Sequence, residues 1–123
     1  MFKILIVEDD KELSLLFQKV LEKSGYQVKS ASDGAQALEV LDREYIDLII
    51  SDIMMPVMDG YEAAKRIRKS NKKDAQTVPI YAMTANAFAE DVTNALNAGM
   101  NGHLAKPIET KVLYSVLDQL WKK

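Results

Sequence analysis

Acidic residues follow two apolar segments of the sequence, at the points where predicted strands end. Glu8 and Asp9 come directly after residues 2–7, and Asp52 comes directly after residues 47–51. Open α/β folds keep their ligand sites at the carboxyl ends of parallel strands. Carboxylates that crowd together at such an edge repel one another, so the arrangement calls for a cation. A partly hydrated Mg²⁺ suits this set of oxygen ligands better than Ca²⁺ in an all-protein cage.

A hydroxyl group and an ammonium group follow two later predicted strands. Residues 78–83 end on Thr84, and the short strand at residues 102–105 ends on Lys106. At the same edge of a sheet, the ammonium group would neutralise phosphoryl oxygens and the hydroxyl group would hydrogen-bond one of them. A neighbouring carboxylate would then serve as the nucleophile. The residue types therefore suit the binding and transfer of a phosphoryl group.

Each of these residues also has a purely structural interpretation. Asp9 and Glu12 have capping-box spacing, so Asp9 could cap a helix. Asp10 is interpreted as a helix cap and not as a metal ligand. Thr84 and Lys106, taken singly, would be a strand residue and a surface cation. Only the joint placement of the set favours a functional site.

Helical segments alternate with the strands and determine where these residues lie. Apolar residues recur there at helical spacing. The residues predicted to face the core are Leu13, Leu16, Phe17, Val20 and Leu21; Ala37, Leu38 and Leu41; Ala63, Ala64 and Ile67; Phe88, Val92, Ala95 and Leu96; and Leu113, Val116, Leu117 and Leu120. Asp33 with Gln36 is predicted to cap the second helix, and Gly25 and Gly99 to close the first and the fourth. Residues 71–77 are predicted to form a polar connection. Charged residues of the third helix are predicted to lie in water: Lys65, Arg66, Arg68 and Lys69.

Five strands that alternate with five helices predict a parallel sheet with helices on both faces, because each parallel crossover needs a helix and is right-handed. The first, third and fourth strands are the most apolar and are placed inside the sheet. Residues 27–31 alternate between polar and apolar and are placed at an edge. The simplest strand order is 2-1-3-4-5, a doubly wound (βα)5 arrangement. In this arrangement the strand-end residues all lie at one edge.

The composition excludes several classes of protein. No cysteine is present, which excludes disulfides, a catalytic thiolate and a cysteine-based zinc site. A net charge of −2 gives no attraction to nucleic acid or to an anionic membrane. The sequence contains no signal-peptide pattern and no apolar run of about 18 residues, the length that suggests a membrane span. We therefore expect a cytoplasmic protein with no membrane span and no nucleic acid partner.

Four motifs, in order and spacing, resemble the receiver domain of two-component response regulators. They are residues 7–10 (VEDD), 51–56 (SDIMMP) with 59–60 (DG), 83–85 (MTA) and 106–107 (KP). The resemblance covers essentially the whole chain, so residues 1–123 are expected to form one flavodoxin-like receiver domain. Residues 83–88 and 99–107 are most similar to the receivers of hybrid histidine kinases.

The resemblance implies a role for each strand-end residue. Asp52 accepts a phosphoryl group from the phosphohistidine of a histidine kinase or of a histidine phosphotransfer domain. Thr84 and Lys106 contact the phosphoryl oxygens. The implied ligands of Mg²⁺ are Asp9, Asp52, the backbone carbonyl of Met54 and, through water, Glu8. Such a protein is not a conventional enzyme, although it catalyses its own phosphorylation and dephosphorylation.

The resemblance also implies an output surface, made by the fourth helix, the fifth strand and the last helix. Thr84 and His103 are the candidate switch residues. Many receivers have Tyr or Phe where this chain has His103, three residues before Lys106. We therefore expect a partly exposed imidazole, and a surface that responds through residues 85–88 more than through a ring flip. The chain is expected to be a monomer or a weak, phosphorylation-dependent dimer, either as a single-domain regulator or as part of a hybrid kinase.

Three other functions share features with this pattern. A haloacid-dehalogenase-like aspartyl phosphatase would need a second Asp two residues after Asp52, where Met54 stands. An FMN carrier of the same topology would need a phosphate-binding loop after the first strand, and the acidic residues there would repel the phosphate. A phosphorylation-independent scaffold remains an alternative, although the complete acidic set argues against it.

Overall fold

A computed structural model describes residues 2–52, 60–70, 73–84, 89–105 and 110–120 of the chain. The strands are β1 (Lys3–Val7), β2 (Gln27–Ala31), β3 (Leu48–Asp52), β4 (Ile80–Thr84) and β5 (Gly102–Ala105). The helices among these residues are α1 (Lys11–Lys23), α2 (Gly34–Arg43), α3 (Gly60–Arg68), α4 (Lys73–Thr77), α5 (Ala89–Asn97) and α6 (Thr110–Leu120). In these same ranges no helix has the length and apolar character that a membrane span requires.

All five strands pair in parallel in the order β2-β1-β3-β4-β5, which confirms the predicted doubly wound, flavodoxin-like fold. One connection differs from the prediction, because α4 lies within residues 71–77, where a polar loop was expected. The reason is Ala75, which is 1% exposed and packs in the core. The contact of Ala75 with the core docks this helical turn, and the polar residues around Ala75 do not reveal it in the sequence.

Successive residues of β1 serve two separate core layers. Leu5 and Val7 pack with residues of α2, α3, α4 and α5 on one face of the sheet. Ile4 and Ile6 pack with residues of α1 and α6 on the other face. Because helices cover both faces, β1 reads as a continuous apolar run and not as an alternating one. This burial fixes the central strands, whose carboxyl ends carry the acidic residues.

The first two helices begin with aspartate caps. Asp33 accepts from the Gln36 amide nitrogen at 2.9 Å, which confirms the predicted cap, and Gln36 Oε1 accepts from the amide nitrogen of Ser32, the residue before the cap. The cap of α1 is Asp10, whose Oδ1 accepts from the amide nitrogens of residues 12 and 13. The capping role considered for Asp9 is therefore wrong, and the Asp9 side chain is left for another purpose.

Two leucines predicted to face the core lie instead at the surface. Leu16 of α1 and Leu96 of α5 are each 57% exposed. On α1 the buried positions are Ser14, Phe17 and Leu21. Leu15 and Leu16 are both exposed, because α1 docks on the sheet through the face that carries Ser14, Phe17 and Leu21. The apolar pattern of the helix indicates that one face is buried, but it does not fix the exact rotation.

Arg68 was predicted to lie in water with the other charged residues of α3, and this is wrong. Its guanidinium group donates to the carbonyl oxygens of Gly99 at 2.9 Å and Ala75 at 3.2 Å, and to Asn101 Oδ1 at 2.9 Å. Asn101 Oδ1 also accepts from the Ile80 amide nitrogen. We call these residues the Arg68 network. It joins α3 and α4 to the segment that enters β5, and partial burial lowers the pKa of Arg68.

Candidate metal centre at the carboxyl end of the sheet

Strand register brings Glu8 and Asp52 to the same edge of the sheet. Val7 of β1 pairs with Ser51 of β3, so Glu8 and Asp52, the residues that follow them in the sequence, lie side by side. The backbone continues toward β2 as well, because the Glu8 amide nitrogen donates to the Ala31 carbonyl oxygen at 3.0 Å. Pairing among β2, β1 and β3 therefore fixes the main chain at Glu8 and Asp52.

The carboxylates of Glu8, Asp9 and Asp52 form a compact group, which we call the acidic cluster. One oxygen from each lies within 4.8 Å of the others. Glu8 is 3% exposed and Asp52 is 6% exposed, whereas Asp9 is exposed. The cluster therefore has two carboxylates set into the protein and a third that closes it on the solvent side. This confirms that the fold brings these three predicted site residues together.

The start of α1 assigns different tasks to adjacent acidic residues. Asp10 caps the helix, and its own amide nitrogen donates to Glu8 Oε2 at 3.3 Å. The turn at residues 8–10 thus orients the Glu8 carboxylate and keeps Asp10 out of the acidic cluster. Glu8 and Asp9 contribute carboxylates to the cluster, and Asp10 contributes backbone geometry.

A serine that the sequence analysis did not single out contacts the backbone of Asp52. Ser51 is 3% exposed, and its hydroxyl donates to the Asp52 carbonyl oxygen at 3.1 Å. The only signal for it in the sequence is a hydroxyl residue that interrupts an otherwise apolar strand. Within β3 it is the residue next to the candidate phosphoacceptor.

The other predicted site residues divide into two groups. Thr84 is the last residue of β4 and pairs with Ala105, and His103 lies half-buried in β5 opposite Ala82. The partly exposed imidazole expected for His103 is therefore confirmed. Met54 and Lys106 lie outside the described residues, as do residues 85–88.

A cleft of about 270 Å³ lies between α1, the end of β2 and α2, and it shares Glu8 with the acidic cluster. Ser14 and Leu15 of α1 line it. This placement accounts for a polar residue at a buried position of the helix, because Ser14 faces the cleft and not the apolar layer. The cleft makes the α1 side of the site accessible next to the carboxylates.

The chemistry of the donor set fits a hard divalent cation. Three carboxylates supply up to six oxygen atoms, and oxygen is the ligand that Mg²⁺ prefers in proteins. Like charges this close repel one another, and a bound cation relieves the repulsion. The residues present therefore fit the predicted metal, with Glu8, Asp9 and Asp52 as the side chains that would hold it.

Comparison with known protein families identifies the family of this chain. The sequence model of the response regulator receiver domain matches residues 4–118, nearly the whole chain. The chain is a response regulator receiver domain. Its place is in two-component signalling, and the resemblance seen in its four motifs is confirmed. The receiver family also favours this function over the haloacid-dehalogenase-like alternative.

The receiver is similar to parts of much larger proteins. It is 40% identical to the sensor histidine kinase RcsC of Escherichia coli over 114 residues, which are 93% of this chain and 12% of that protein. The chain therefore spans only about an eighth of the length of that curated relative. This likeness agrees with the predicted similarity to the receivers of hybrid histidine kinases.

Two solved receiver structures are similar in fold and in sequence. The receiver of the sensor histidine kinase PA1611 from Pseudomonas aeruginosa, solved with magnesium in its active-site cleft, is 39% identical, with a TM-score of 0.87 and coverage of 97% of this chain and 96% of that one. The receiver of Saccharomyces cerevisiae Ssk1, solved with the histidine phosphotransfer protein Ypd1, is 30% identical, with a TM-score of 0.89 and coverage of 97% and 88%.

Proposed function

We propose that this receiver accepts a phosphoryl group on Asp52 from the phosphohistidine of a histidine kinase or a histidine phosphotransfer domain, in a cytoplasmic setting. The observation that carries the proposal is the acidic cluster, in which Asp52 is held with two further carboxylates at the end of a buried strand. Glu8 is tied to the Asp10 amide nitrogen, and Asp9 is the exposed member of the cluster. Asp52 is the last residue of the buried strand β3, and its carboxylate is proposed to act as the nucleophile.

The transfer needs few groups from the protein. A carboxylate oxygen of Asp52 attacks phosphorus in line with the P–N bond of the donor, the O–P bond forms, and the P–N bond breaks. The departing imidazole keeps the electron pair of that bond and takes up a proton. The protein contributes mainly position and charge, as is usual for phosphoryl transfer. Thr84 and Lys106 are proposed to contact the oxygens of the transferred group.

The metal site is part of the same proposal. We infer that Mg²⁺ is held by Asp9, Asp52 and the backbone carbonyl of Met54, with Glu8 acting through water. When bound, the ion supplies positive charge that offsets both the carboxylates and the phosphoryl oxygens. The solved PA1611 receiver, which holds magnesium in its active-site cleft, supports this assignment.

The donor is proposed to dock on the exposed apolar side of α1. Leu15 and Leu16 are 53% and 57% exposed. They lie about 6–8 Å along the helix axis from its first residue, which directly follows the turn of the acidic cluster. A partner that covers both leucines would therefore have its phosphohistidine within reach of Asp52. Leu16→Ser is expected to slow transfer from a phosphorylated histidine phosphotransfer domain and to leave phosphorylation by a small phosphodonor unchanged.

Leu96 provides a matched control for this docking test, because it is equally exposed but lies on α5. Leu96→Ser should leave both transfer rates unchanged. Equal slowing by the two variants would show that α1 is not the docking surface. The proposed output surface contains Leu96, together with β5 and the exposed Val112 of α6. In amide NMR spectra with beryllofluoride as a phosphoryl mimic, changes there are expected to be weakened by Thr84→Ala.

Intact mass after incubation with Mg²⁺ and a small phosphodonor tests the function directly. The wild type should gain one phosphoryl group, and Asp52→Asn should gain none. Asp42→Asn is the matched control, since Asp42 is exposed in the last turn of α2, which precedes the amino end of β3 and not its carboxyl end. Phosphorylation of the Asp52 variant at the wild-type rate would refute the assignment. A wild type that stays unmodified by any donor would favour the phosphorylation-independent scaffold.

A further inference from the structure

Ser51 is a polar residue at a position where its neighbours on both adjacent strands are apolar. It pairs with Val7 of β1 and with Ala82 of β4, and all three residues are at most 3% exposed. A hydroxyl group in such surroundings is costly unless it makes a hydrogen bond. The Ser51 hydroxyl makes one to the carbonyl oxygen of the next residue, Asp52, at 3.1 Å.

This hydrogen bond restrains the backbone that carries the phosphoacceptor. It closes a small ring through the Ser51 side chain, the planar peptide bond and the Asp52 carbonyl group. The soft torsions in the ring are χ1 and ψ of Ser51 and φ and ψ of Asp52, because the peptide bond itself is rigid. A hydrogen bond across the ring therefore restricts the range of φ and ψ that Asp52 can adopt. These two backbone angles set the direction of the Asp52 side chain.

The hydrogen bond restrains a residue that strand pairing holds on one side only. Asp52 is the last residue of β3, and the three residues before it, 49–51, are paired on both sides, with β1 and with β4. In the registered ladders, Asp52 has a partner in β4, Met83, but β1 ends opposite Ser51. The Ser51 hydroxyl thus adds a local bond at the point where β1 no longer pairs with β3.

We propose that Ser51 is a positioning residue, which holds the Asp52 backbone so that its carboxylate stays in the acidic cluster. The inference deepens the proposed function, because it assigns to Ser51 the geometry of the metal-binding and phosphoacceptor group. Ser51 itself takes no part in the chemistry. Its loss changes how well Asp52 is placed, and therefore both the Mg²⁺ affinity and the phosphorylation rate.

Threonine and valine at position 51 isolate the hydroxyl group. The two side chains have nearly the same shape, and both suit a strand. Ser51→Thr keeps the hydroxyl, and Ser51→Val replaces it with a methyl group. Ala82 on the adjacent strand is small, and any cost of the added methyl group is common to both variants. A difference between the two variants therefore reports the hydrogen bond and not the packing.

Three measurements compare the variants with the wild type. NMR titration should show that Ser51→Val binds Mg²⁺ about three- to tenfold more weakly than Ser51→Thr, the factor that one hydrogen bond between protein groups corresponds to. The phosphorylation rate with a small phosphodonor should fall by a similar factor at saturating donor. Backbone chemical shifts of Asp52, recorded without metal, should change in Ser51→Val and stay near the wild-type values in Ser51→Thr.

Ser14→Ala is the control for removal of a buried serine, because Ser14 is 7% exposed and lies on α1 near the site. It should leave the Mg²⁺ affinity unchanged. Equal Mg²⁺ affinities and Asp52 shifts in the threonine and valine variants would overturn the role of Ser51, even if the wild type is phosphorylated on Asp52. Failure of the wild type to be phosphorylated would refute the proposed function, whereas the metal-free Asp52 shifts test the positioning by themselves.

Discussion

The two ends of the sheet handle charge in opposite ways. At the amino end, acids lie beside nitrogen donors: Lys3 Nζ contacts Glu44 Oε1 at 2.9 Å, and the Lys3 amide nitrogen donates to Asp47 Oδ2 at 2.7 Å. The Arg68 network lies at the same end, and there a cation bonds carbonyl and amide oxygens. At the carboxyl end, the acidic cluster places three carboxylates beside one another.

The charged groups at the amino end of the sheet stabilise the fold, whereas those at the carboxyl end form the candidate functional site. Where unlike groups meet, the contacts hold strands and helices together and need nothing from outside the chain. Where like charges meet, the arrangement costs stability, and only an added cation or a ligand makes it favourable. The acidic cluster is therefore the part of the sheet that we propose to bind a cation. Without a bound metal, removal of a charge should therefore raise stability at the carboxyl end and lower it at the amino end.

The largest effect is expected on metal binding at the carboxyl end. Asp9→Asn should weaken Mg²⁺ binding by about 100-fold, which is about 2.7 kcal/mol, because it removes a charged member of the cluster. Asp10→Asn is the matched control. It lies at the next position, and asparagine caps a helix about as well as aspartate. Calorimetric titration of both variants checks this, and equal losses would mean that the cluster does not distinguish Asp9 from Asp10.

The next largest effect is expected on stability at the amino end. Arg68→Met should lower the free energy of unfolding by about 2 kcal/mol, since it removes three hydrogen bonds from a charged donor and leaves their acceptors without it. Arg66→Met is the control, because Arg66 is exposed and forms a surface ion pair with Glu62 on the same helix, at 3.5 Å. Its loss should cost less than about 0.5 kcal/mol. Urea unfolding of both variants gives the comparison, and equal losses would remove the distinction between them.

A third pair of variants should change stability with opposite signs. Without metal, Asp9→Ala should raise the free energy of unfolding by about 0.5 kcal/mol because it relieves repulsion in the cluster. Asp47→Ala should lower it by about 1 kcal/mol, since the Lys3 amide nitrogen loses its acceptor. Thermal unfolding in a chelator measures both. Two shifts of the same sign would contradict the contrast between the ends of the sheet.

The smallest effect is a dependence on pH at the amino end. The hydrogen bond from Lys3, with a further contribution from nearby Lys29, lowers the pKa of Glu44 from its ordinary value of 4.5. A depressed pKa in the folded state gives stability that is present above the unfolded value and is lost as the pH falls through the folded value. Glu44→Gln should therefore lower the melting temperature slightly at pH 7, with no difference left well below pH 4.5. A difference that persists in acid would contradict this origin.

The sequence predicted the strands and the acidic cluster well because both depend on local pattern. An apolar run buried on two faces is recognisable by itself, and parallel pairing then brings Glu8, Asp9 and Asp52 together without further information. The start of β4 was predicted at residue 78, two residues before the strand begins in the structure. Pro79 cannot donate to a ladder, so the strand begins at Ile80, although the Pro79 carbonyl still accepts from Ile49.

The errors and omissions have a different cause, since each depends on a tertiary contact or a backbone acceptor and not on the local pattern of side chains. Arg68 bonds Gly99, which lies 31 residues away, and no local signal marks it as anything but a surface charge. The exposure of Leu16 depends on how α1 rotates against the sheet. The role of Ser51 depends on a backbone carbonyl, which the side-chain pattern does not show. The periodicity of side chains shows neither which backbone carbonyl a side chain will bond nor how a helix will dock.

The contact between Arg68 and Gly99 has a consequence for how this sequence can change through evolution. Gly99 has a φ of +95°, and a Cβ placed there would lie 2.8 Å from Arg68 Cγ. Any other residue at position 99 would therefore be strained in its backbone and would also displace Arg68, so that the two positions cannot drift independently. Among homologous receivers, loss of the glycine should accompany loss of the arginine. Residues 68 and 99 should thus appear in an alignment as a co-varying pair.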